Sequence, residues 1–301
     1  MAVGIPCGSM PRRRIIRRAV AVLPVFAMIV LASTVTIRAE AASAAPGDGG
    51  SLARVVGIAG TPDGGGYWLT DILGEVIPNG DARFLGSMQN QPLTSPIAHI
   101  VAAPELAKSA NQGYWLLAAD GGVFAFGDAH FYGSMGGQHL NAPIVGLAPT
   151  GDGRGYWLVA ADGGVFAFGD AVFRGSMAGV HLNKPIVGIA DYGPSGYWLV
   201  AADGGVFAIG APFLGSAAGL SLTLPVNGIV VTSDSFGYWL VASDGGVFTF
   251  GDATFRGSLA GQPLNPPVVG MAAQLTSGYW LVRSDGTVFS FNPCPPMTKC
   301  A

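Results

Sequence analysis

The tetrapeptide Gly-Tyr-Trp-Leu occurs six times, starting at Gly66, Gly113, Gly155, Gly196, Gly237 and Gly278, at spacings of 47, 42, 41, 41 and 41. All six tryptophans of the 301-residue chain stand in this one position. A chain built from near-identical short units is constrained to a repeat architecture, in which each unit relies on its neighbours for burial. Other landmarks keep the same period. Asp-Gly follows at Asp120, Asp162, Asp203, Asp244 and Asp285, and then an apolar pair such as Val165-Phe166. A Phe-x-Gly-Ser element comes next, starting at Phe84, Phe131, Phe173, Phe213 and Phe255. Nine residues beyond each Ser stands a proline (Pro96, Pro143, Pro185, Pro225, Pro267) that opens a short apolar run.

Each unit therefore predicts four strands: a (Pro-Ile-Val-Gly-Ile-Ala), b (Gly-Tyr-Trp-Leu-Val-Ala), c (Gly-Val-Phe-Ala-Phe-Gly) and d, the short Phe-x-Gly-Ser stretch. Aromatic and β-branched residues bounded by Gly, Asp and Pro carry this reading, and Asp-Gly joins b to c in a tight hairpin. In Tyr156-Trp157-Leu158-Val159 both alternating sets are apolar. A sheet with one wet face would alternate apolar and polar. No helical periodicity is present to cover the second face, so adjacent copies must cover one another. The expected fold is all-β, a six-unit β-propeller of four-stranded antiparallel blades, with an open β-hairpin solenoid as the alternative. Two copies depart from the pattern. The last runs Val288-Phe289-Ser290-Phe291 into Asn292-Pro293-Cys294 and has no Phe-x-Gly-Ser. Gly50-Ser51-Leu52-Ala53 matches Gly257-Ser258-Leu259-Ala260 and is a candidate for its missing outer strand. The first copy has Leu73-Gly74-Glu75 in place of Asp-Gly-Gly, and Asn79 in place of the second Phe.

Residues 1–44 read as a signal peptide. Arg12, Arg13, Arg14, Arg17 and Arg18 precede an uncharged apolar stretch from Ala19 to Ile37, and Ala39-Glu40-Ala41 and Ala42-Ser43-Ala44 offer cleavage sites. The competing reading is an anchor through residues 19–37, about one membrane span long. Residues 45–54 form a linker with the closing-strand candidate, 55–293 the propeller, and 294–301 a tail. Removing residues 1–44 takes away six Arg and one Glu, which leaves 9 basic and 17 acidic residues and a net charge of −8. That balance excludes a nucleic-acid partner and argues against anionic lipid. No membrane span is expected in the mature chain, which should be a monomer. Cys294 and Cys300, an even count in an oxidising compartment, are expected to form a disulfide. The expected location is secreted or cell-surface.

The stretch Tyr156 to Asp170, Tyr-Trp-Leu-Val-Ala-Ala-Asp-Gly-Gly-Val-Phe-Ala-Phe-Gly-Asp, resembles β-propeller repeats. It is similar to a repeat of secreted actinobacterial proteins with no assigned activity and, more distantly, to the hairpins of quinoprotein-type propellers. The likeness covers residues 55 to about 292 and implies architecture rather than function. The quinoprotein enzymes imply a calcium and quinone site, for which the sequence holds no matching acidic cluster. Spacing of Trp, Asp-Gly, aromatic and Gly is also similar to the hairpins of choline- and glucan-binding cell-wall modules, whose period is near half of this one.

Catalytic patterns are missing from the sequence. Its four histidines, His99, His130, His139 and His181, belong to no HExxH, GxSxG or clustered metal motif, and neither a cofactor nor a metal is expected. The repeated Asp residues, with Asp81, Asp128, Asp170 and Asp252 of Gly-Asp-Ala, read as turn formers. If constant positions are structural, recognition falls where copies differ. His99 stands in strand a where the other copies have Gly57, Gly146, Gly188, Gly228 and Gly270. Copy two has a longer a–b loop with Glu105 and Lys108. The d–a connections offer Gln91, Thr94, Gln138, His139, Asn141, His181, Asn183, Lys184, Gln262 and Asn265, on the same face as the b–c turns. The expected function is a binding propeller that recognises cell-wall polysaccharide or a protein partner. The rival is a secreted hydrolase or lyase working at the channel mouth through His99 with Glu75 or Asp71. A membrane β-barrel ranks last, because its strands need roughly 9–11 residues and a polar lumen face.

Overall fold

The structure, a computed structural model, describes residues 39–40, 53–104, 112–274 and 278–292. Two compact units divide the chain, Met1–Ser33 and Thr34–Ala301, and the first lies outside the described residues. So do the rest of the export segment apart from residues 39–40, Gly50 to Leu52, Glu105, Lys108 and the expected disulfide pair Cys294 and Cys300. Among the described residues every regular element is a strand, and no helix is long and apolar enough to cross a membrane.

Each copy contributes three strands to one antiparallel sheet. In copy three they are Ile144–Pro149, Gly155–Ala160 and Val165–Gly169, paired in the order a–b–c. The same order recurs in all six copies, giving a propeller-like all-β fold. Strand b is in the middle, and its burial is complete in most copies. The register of strand a shifts once in each copy, as between Ile144 and Gly146, leaving a bulged residue in the first half of the strand.

The two faces of strand b pack against different neighbours. Trp115 and Leu117 of copy two share a cluster with Tyr156 and Leu158 of copy three. Trp157 and Val159, on the opposite face of copy three, join Tyr197 and Leu199 of copy four. The doubly apolar pattern is thus explained by adjacent sheets covering each other. Every Trp also meets the Tyr of the next copy with ring centroids 5.1–5.7 Å apart, as in Trp68–Tyr114 and Trp239–Tyr279. The first and sixth sheets are neighbours too. Tyr67 and Trp280 lie 5.3 Å apart, Val55 and Ile58 share a cluster with Trp280 and Val282, and the Val55 amide donates to the Ser284 carbonyl at 3.0 Å.

The expectation of four strands per blade is corrected: among the described residues each copy supplies three strands to its sheet, because Phe-x-Gly-Ser is not a strand. Its backbone is claimed by side chains of strand b instead of by a ladder to strand c. Within a copy the Trp indole donates to the carbonyl just before the Phe, as Trp115 does to His130 at 2.9 Å. From the next copy, the Tyr156 hydroxyl accepts the Tyr132 amide at 3.2 Å and donates to the Gly133 carbonyl at 2.5 Å. Tyr114, Tyr197 and Tyr279 make the same pair of bonds to the preceding copy. Gly133 has φ +138°, and a Cβ there would lie 2.5 Å from the Phe168 ring of copy three. Only glycine satisfies both conditions. The element is therefore a strap laid across the seam to the next sheet. Burial pushes the hydroxyls of Tyr114, Tyr238 and Tyr279 up to about 12, so they remain protonated donors.

Among the described residues, the sixth sheet alone has a fourth strand. Ala39–Glu40 pairs antiparallel with Val288 and Phe289. Of Gly50 to Ala53, the candidate for that strand, only Ala53 is among the described residues, and its amide donates to Asp71 Oδ2 of the first sheet at 3.1 Å.

Removing one latch hydroxyl while keeping its ring tests this account. Tyr156→Phe leaves the part-buried strap groups of Tyr132 and Gly133 without their partner, and stability should fall by about 0.5–1.5 kcal/mol in urea unfolding. A change within experimental error would show that the hydroxyl does not hold the strap.

Candidate functional site

The d–a connections and the b–c turns do share one face. Each connection is tied to the turn through backbone bonds, as when the Ala119 amide donates to the Pro96 carbonyl and the Met135 amide to the Gly121 carbonyl. The turn itself is set by Asp120, whose Oδ1 accepts the Gly122 amide at 3.0 Å. Asp162, Asp203, Asp244 and Asp285 repeat this contact, as expected of turn formers.

The side chains expected to recognise a ligand stand free on this face. Gln91, Thr94, Gln138, His139, Asn141, His181, Asn183, Lys184, Gln262 and Asn265 are all exposed. The Asn265 carbonyl also accepts from the Arg283 guanidinium, which pairs with Asp285 at 3.2 Å. In copy two a cleft of about 300 Å³ brings Thr94, Ser95, Asp120 and Ser134 together with Phe124 and Phe131.

Sequence reasoning missed the most regular surface feature. Phe84, Phe131, Phe173, Phe213 and Phe255, at the head of each strap, are 41–63% exposed. The Trp indole grips the carbonyl just before each Phe, and the residue after it meets the tyrosine of the next copy, so the phenyl ring is left outward. Phe-x-Gly-Ser reads as a strand, and nothing in the motif tells which way its Phe points.

His99 sits in Ile97–Ala102, where the other copies use glycine to let adjacent strands approach. A Cβ at Gly57 would come within 3.2 Å of the Ile100 amide of the next sheet, so a side chain at this position must push into a seam. The His99 residue is partly exposed, but its Nδ1 is buried with no hydrogen-bond partner. Burial lowers its pKa. Neither expected partner is bonded to it among the described residues. The Asp71 carboxylate is buried and accepts the amides of Ala53, Leu73 and Glu75, so it serves the irregular first b–c turn. Burial, and secondarily Asp71, raise the pKa of Glu75. Asn227, which sequence reading passed over, is a second polar intrusion in strand a. Its Nδ2 donates to the Val268 carbonyl of the next sheet at 2.7 Å, and its Oδ1 is buried without a partner.

On the opposite face, the a–b loops of copies one, three and five hold a threonine with two carboxylates. In copy three the Thr150 hydroxyl lies 2.9 Å from Asp152 and 3.3 Å from Asp170. Thr232 with Asp234 and Asp252 repeats the arrangement, and Thr61 with Asp63 and Asp81 resembles it. Of each pair, Asp81, Asp170 and Asp252 belong to the Gly-Asp-Ala turns, while Asp63, Asp152 and Asp234 carry no signal of that kind. Thr-x-Asp in every second a–b loop was the available signal. Among the described residues no group of three or more His, Cys, Asp or Glu is placed to hold a metal. Asp191, at the end of Ile186–Asp191, has Oδ1 buried without a partner, and burial raises its pKa to about 6.

No protein-family model and no curated protein matches the sequence. In fold, the chain is similar to a structural-genomics protein of unknown function from Bacteroides thetaiotaomicron. The identity is 14% and the TM-score 0.53, over 81% of this chain and 70% of that one. With 1013 chains of solved structures matching, the likeness speaks for the fold alone.

Because its folded pKa is depressed, His99 resists the proton that it takes up near pH 6.5 when unfolded. Stability should therefore drop as pH falls from about 6.5 toward the lower folded value. His99→Gly should remove that part of the acid sensitivity and leave the protein at least as stable at pH 7. Unfolding curves between pH 7 and 5 that overlay for the two proteins after correction for the offset would contradict this.

Proposed function

We propose that the chain is an exported or surface-displayed six-bladed propeller, closed into a ring by its first and sixth sheets, that binds neutral cell-wall polysaccharide through the face of its d–a connections and b–c turns. The observation that carries the reading is the exposed Phe at the head of five successive straps. Its recurrence is not explained by packing, since the strap is held by its backbone. Aromatic rings beside amides and hydroxyls suit a ligand with apolar ring faces and many hydroxyl groups. The copy-two cleft offers that combination, with Phe124 and Phe131 beside Thr94, Ser95 and Ser134. Five equivalent rings in sequence also suit a polymer with a repeating unit, because linked weak contacts multiply in effect. The likeness of Tyr156 to Asp170 to repeats of secreted proteins agrees with this location.

The test is retention on insoluble cell-wall polysaccharide. A triple variant Phe131→Ala, Phe173→Ala, Phe213→Ala should unfold close to the parent, since exposed substitutions usually cost within about 0.5 kcal/mol each. Its retention should fall at least tenfold. Equal retention of parent and variant, or no retention of the parent on any wall fraction, would overturn the proposal.

A further inference from the structure

In five sheets strand c is the outer strand, and its outward edge has no ladder partner among the described residues. There the strap follows strand c and returns to the b–c turn, as when the Met135 amide donates to the Gly121 carbonyl. Copy six has no Phe-x-Gly-Ser, yet its strand c, Val288–Phe291, is the most enclosed of the six. Phe289 and Phe291 are buried, whereas Phe124, Phe126, Phe166 and Phe168 in the same positions of copies two and three are half-buried. Ala39–Glu40 takes this edge, with Ala39 opposite Phe289 and Glu40 opposite Val288.

That pairing conflicts with both cleavage sites expected from the sequence. A cut after Ala41 or after Ala44 would remove Ala39–Glu40 and strip the edge, and a bare edge invites pairing with another chain. The sequence itself divides earlier. The 19 residues from Ala19 to Ile37 exceed the roughly 7–15 of a signal peptide's apolar core, while the 13 from Ala19 to Leu31 fit it. From Ser33 the pattern changes. Ser33-Thr34-Val35-Thr36-Ile37-Arg38-Ala39-Glu40 has apolar residues at 35, 37 and 39 and polar residues between them. Such alternation, rich in β-branched residues, belongs to a strand with one wet face. Ala32 is the one alanine in residues 28–38, which hold no glycine, and Val30-Leu31-Ala32 places short side chains at the cut and two residues before it. The boundary between the two compact units falls one residue later, between Ser33 and Thr34.

We propose that an export peptidase hydrolyses the Ala32–Ser33 bond, and that residues 34–40 are kept as the outer strand of the sixth sheet. Water is the co-reactant. Its oxygen adds to the Ala32 carbonyl, the peptide C–N bond breaks, Ala32 keeps a carboxylate and both water protons end on the Ser33 amine. The cut discards the basic residues Arg12 to Arg18 and the apolar core, and retains the one strand that covers the edge no strap follows. The inference rests on the export part of the proposed function and is independent of what the propeller binds.

N-terminal sequencing and intact mass of the protein released by a secreting host that expresses the full precursor test the cut. Both should place Ser33 first. A first residue of Ala42 or Ala45 would overturn the assignment while leaving export intact. A chain that keeps residues 1–32 would overturn it together with cleaved export. Chains made to start at Ser33 and at Ala45 test the strand. The shorter chain should melt at least about 4 °C lower, and it should form more dimer and aggregate through its open edge. In the longer chain, Ile37→Asp should give the same loss, while Thr36→Asp, on the wet face, should leave the Tm within about 2 °C. Equal melting of the two chains, or equal effects of the two substitutions, would overturn the retained strand. Retention on cell-wall polysaccharide, measured on the same preparations, reports separately on the binding proposal.

Discussion

A tyrosine hydroxyl that crosses from one sheet to the strap of the sheet before it is the contact on which the structure depends. Burying large aromatic side chains between sheets is favourable but has little direction. The hydroxyl adds direction: it accepts an amide and donates to a carbonyl one residue further on, as Tyr156 does to Tyr132 and Gly133. The Trp of the preceding copy fixes the same strap from the other side. In copies two to five each Gly-Tyr-Trp-Leu block therefore packs both its faces and ties down two straps, its own and its predecessor's. That is reason enough for the block to be the least variable part of the repeat.

The same arrangement separates folding from recognition. Strands a and b spend their apolar residues on the seams, and the b–c turns spend one carboxylate oxygen each on their own backbone. The strap is secured by backbone groups, which frees its phenyl ring to face outward. Surface loops joining such rigid sheets can vary in content without disturbing the seams. Where a variable residue enters the interior, as at His99 and Asn227, buried polar atoms are left unpartnered. Such intrusions are costly to a fold, so those two positions stand out from the ordinary variation of the loops.

Much of this was legible in the residues. The doubly apolar run at Tyr156 to Val159 required covering on both sides, and the six clusters supply it between neighbouring copies. The Asp-Gly hairpins and the shared face of turns and d–a connections were also readable, because both follow from local turn chemistry. The fourth strand was not. Phe-x-Gly-Ser has strand-like composition, and its partners are a tyrosine more than twenty residues ahead and a tryptophan about fifteen behind. Local pattern cannot reveal such partners. For the same reason the exposure of the five phenylalanines in the expected strand d was not legible. The threonine–carboxylate trios stayed hidden because each joins residues twenty positions apart, from Thr150 to Asp170. His99 was visible as a departure from glycine, but its supposed partner Asp71 turned out to serve a turn.

Hydrogen exchange at the strap amides addresses the central claim directly. Leu85, Tyr132, Arg174 and Arg256 lie outside every strand, yet each amide donates to the tyrosine hydroxyl of the following copy. Their protection should approach that of the middle strands and exceed that of the preceding Phe84, Phe131, Phe173 and Phe255. Exchange of all eight amides at the rate of open loops would contradict the latch and the account built on it.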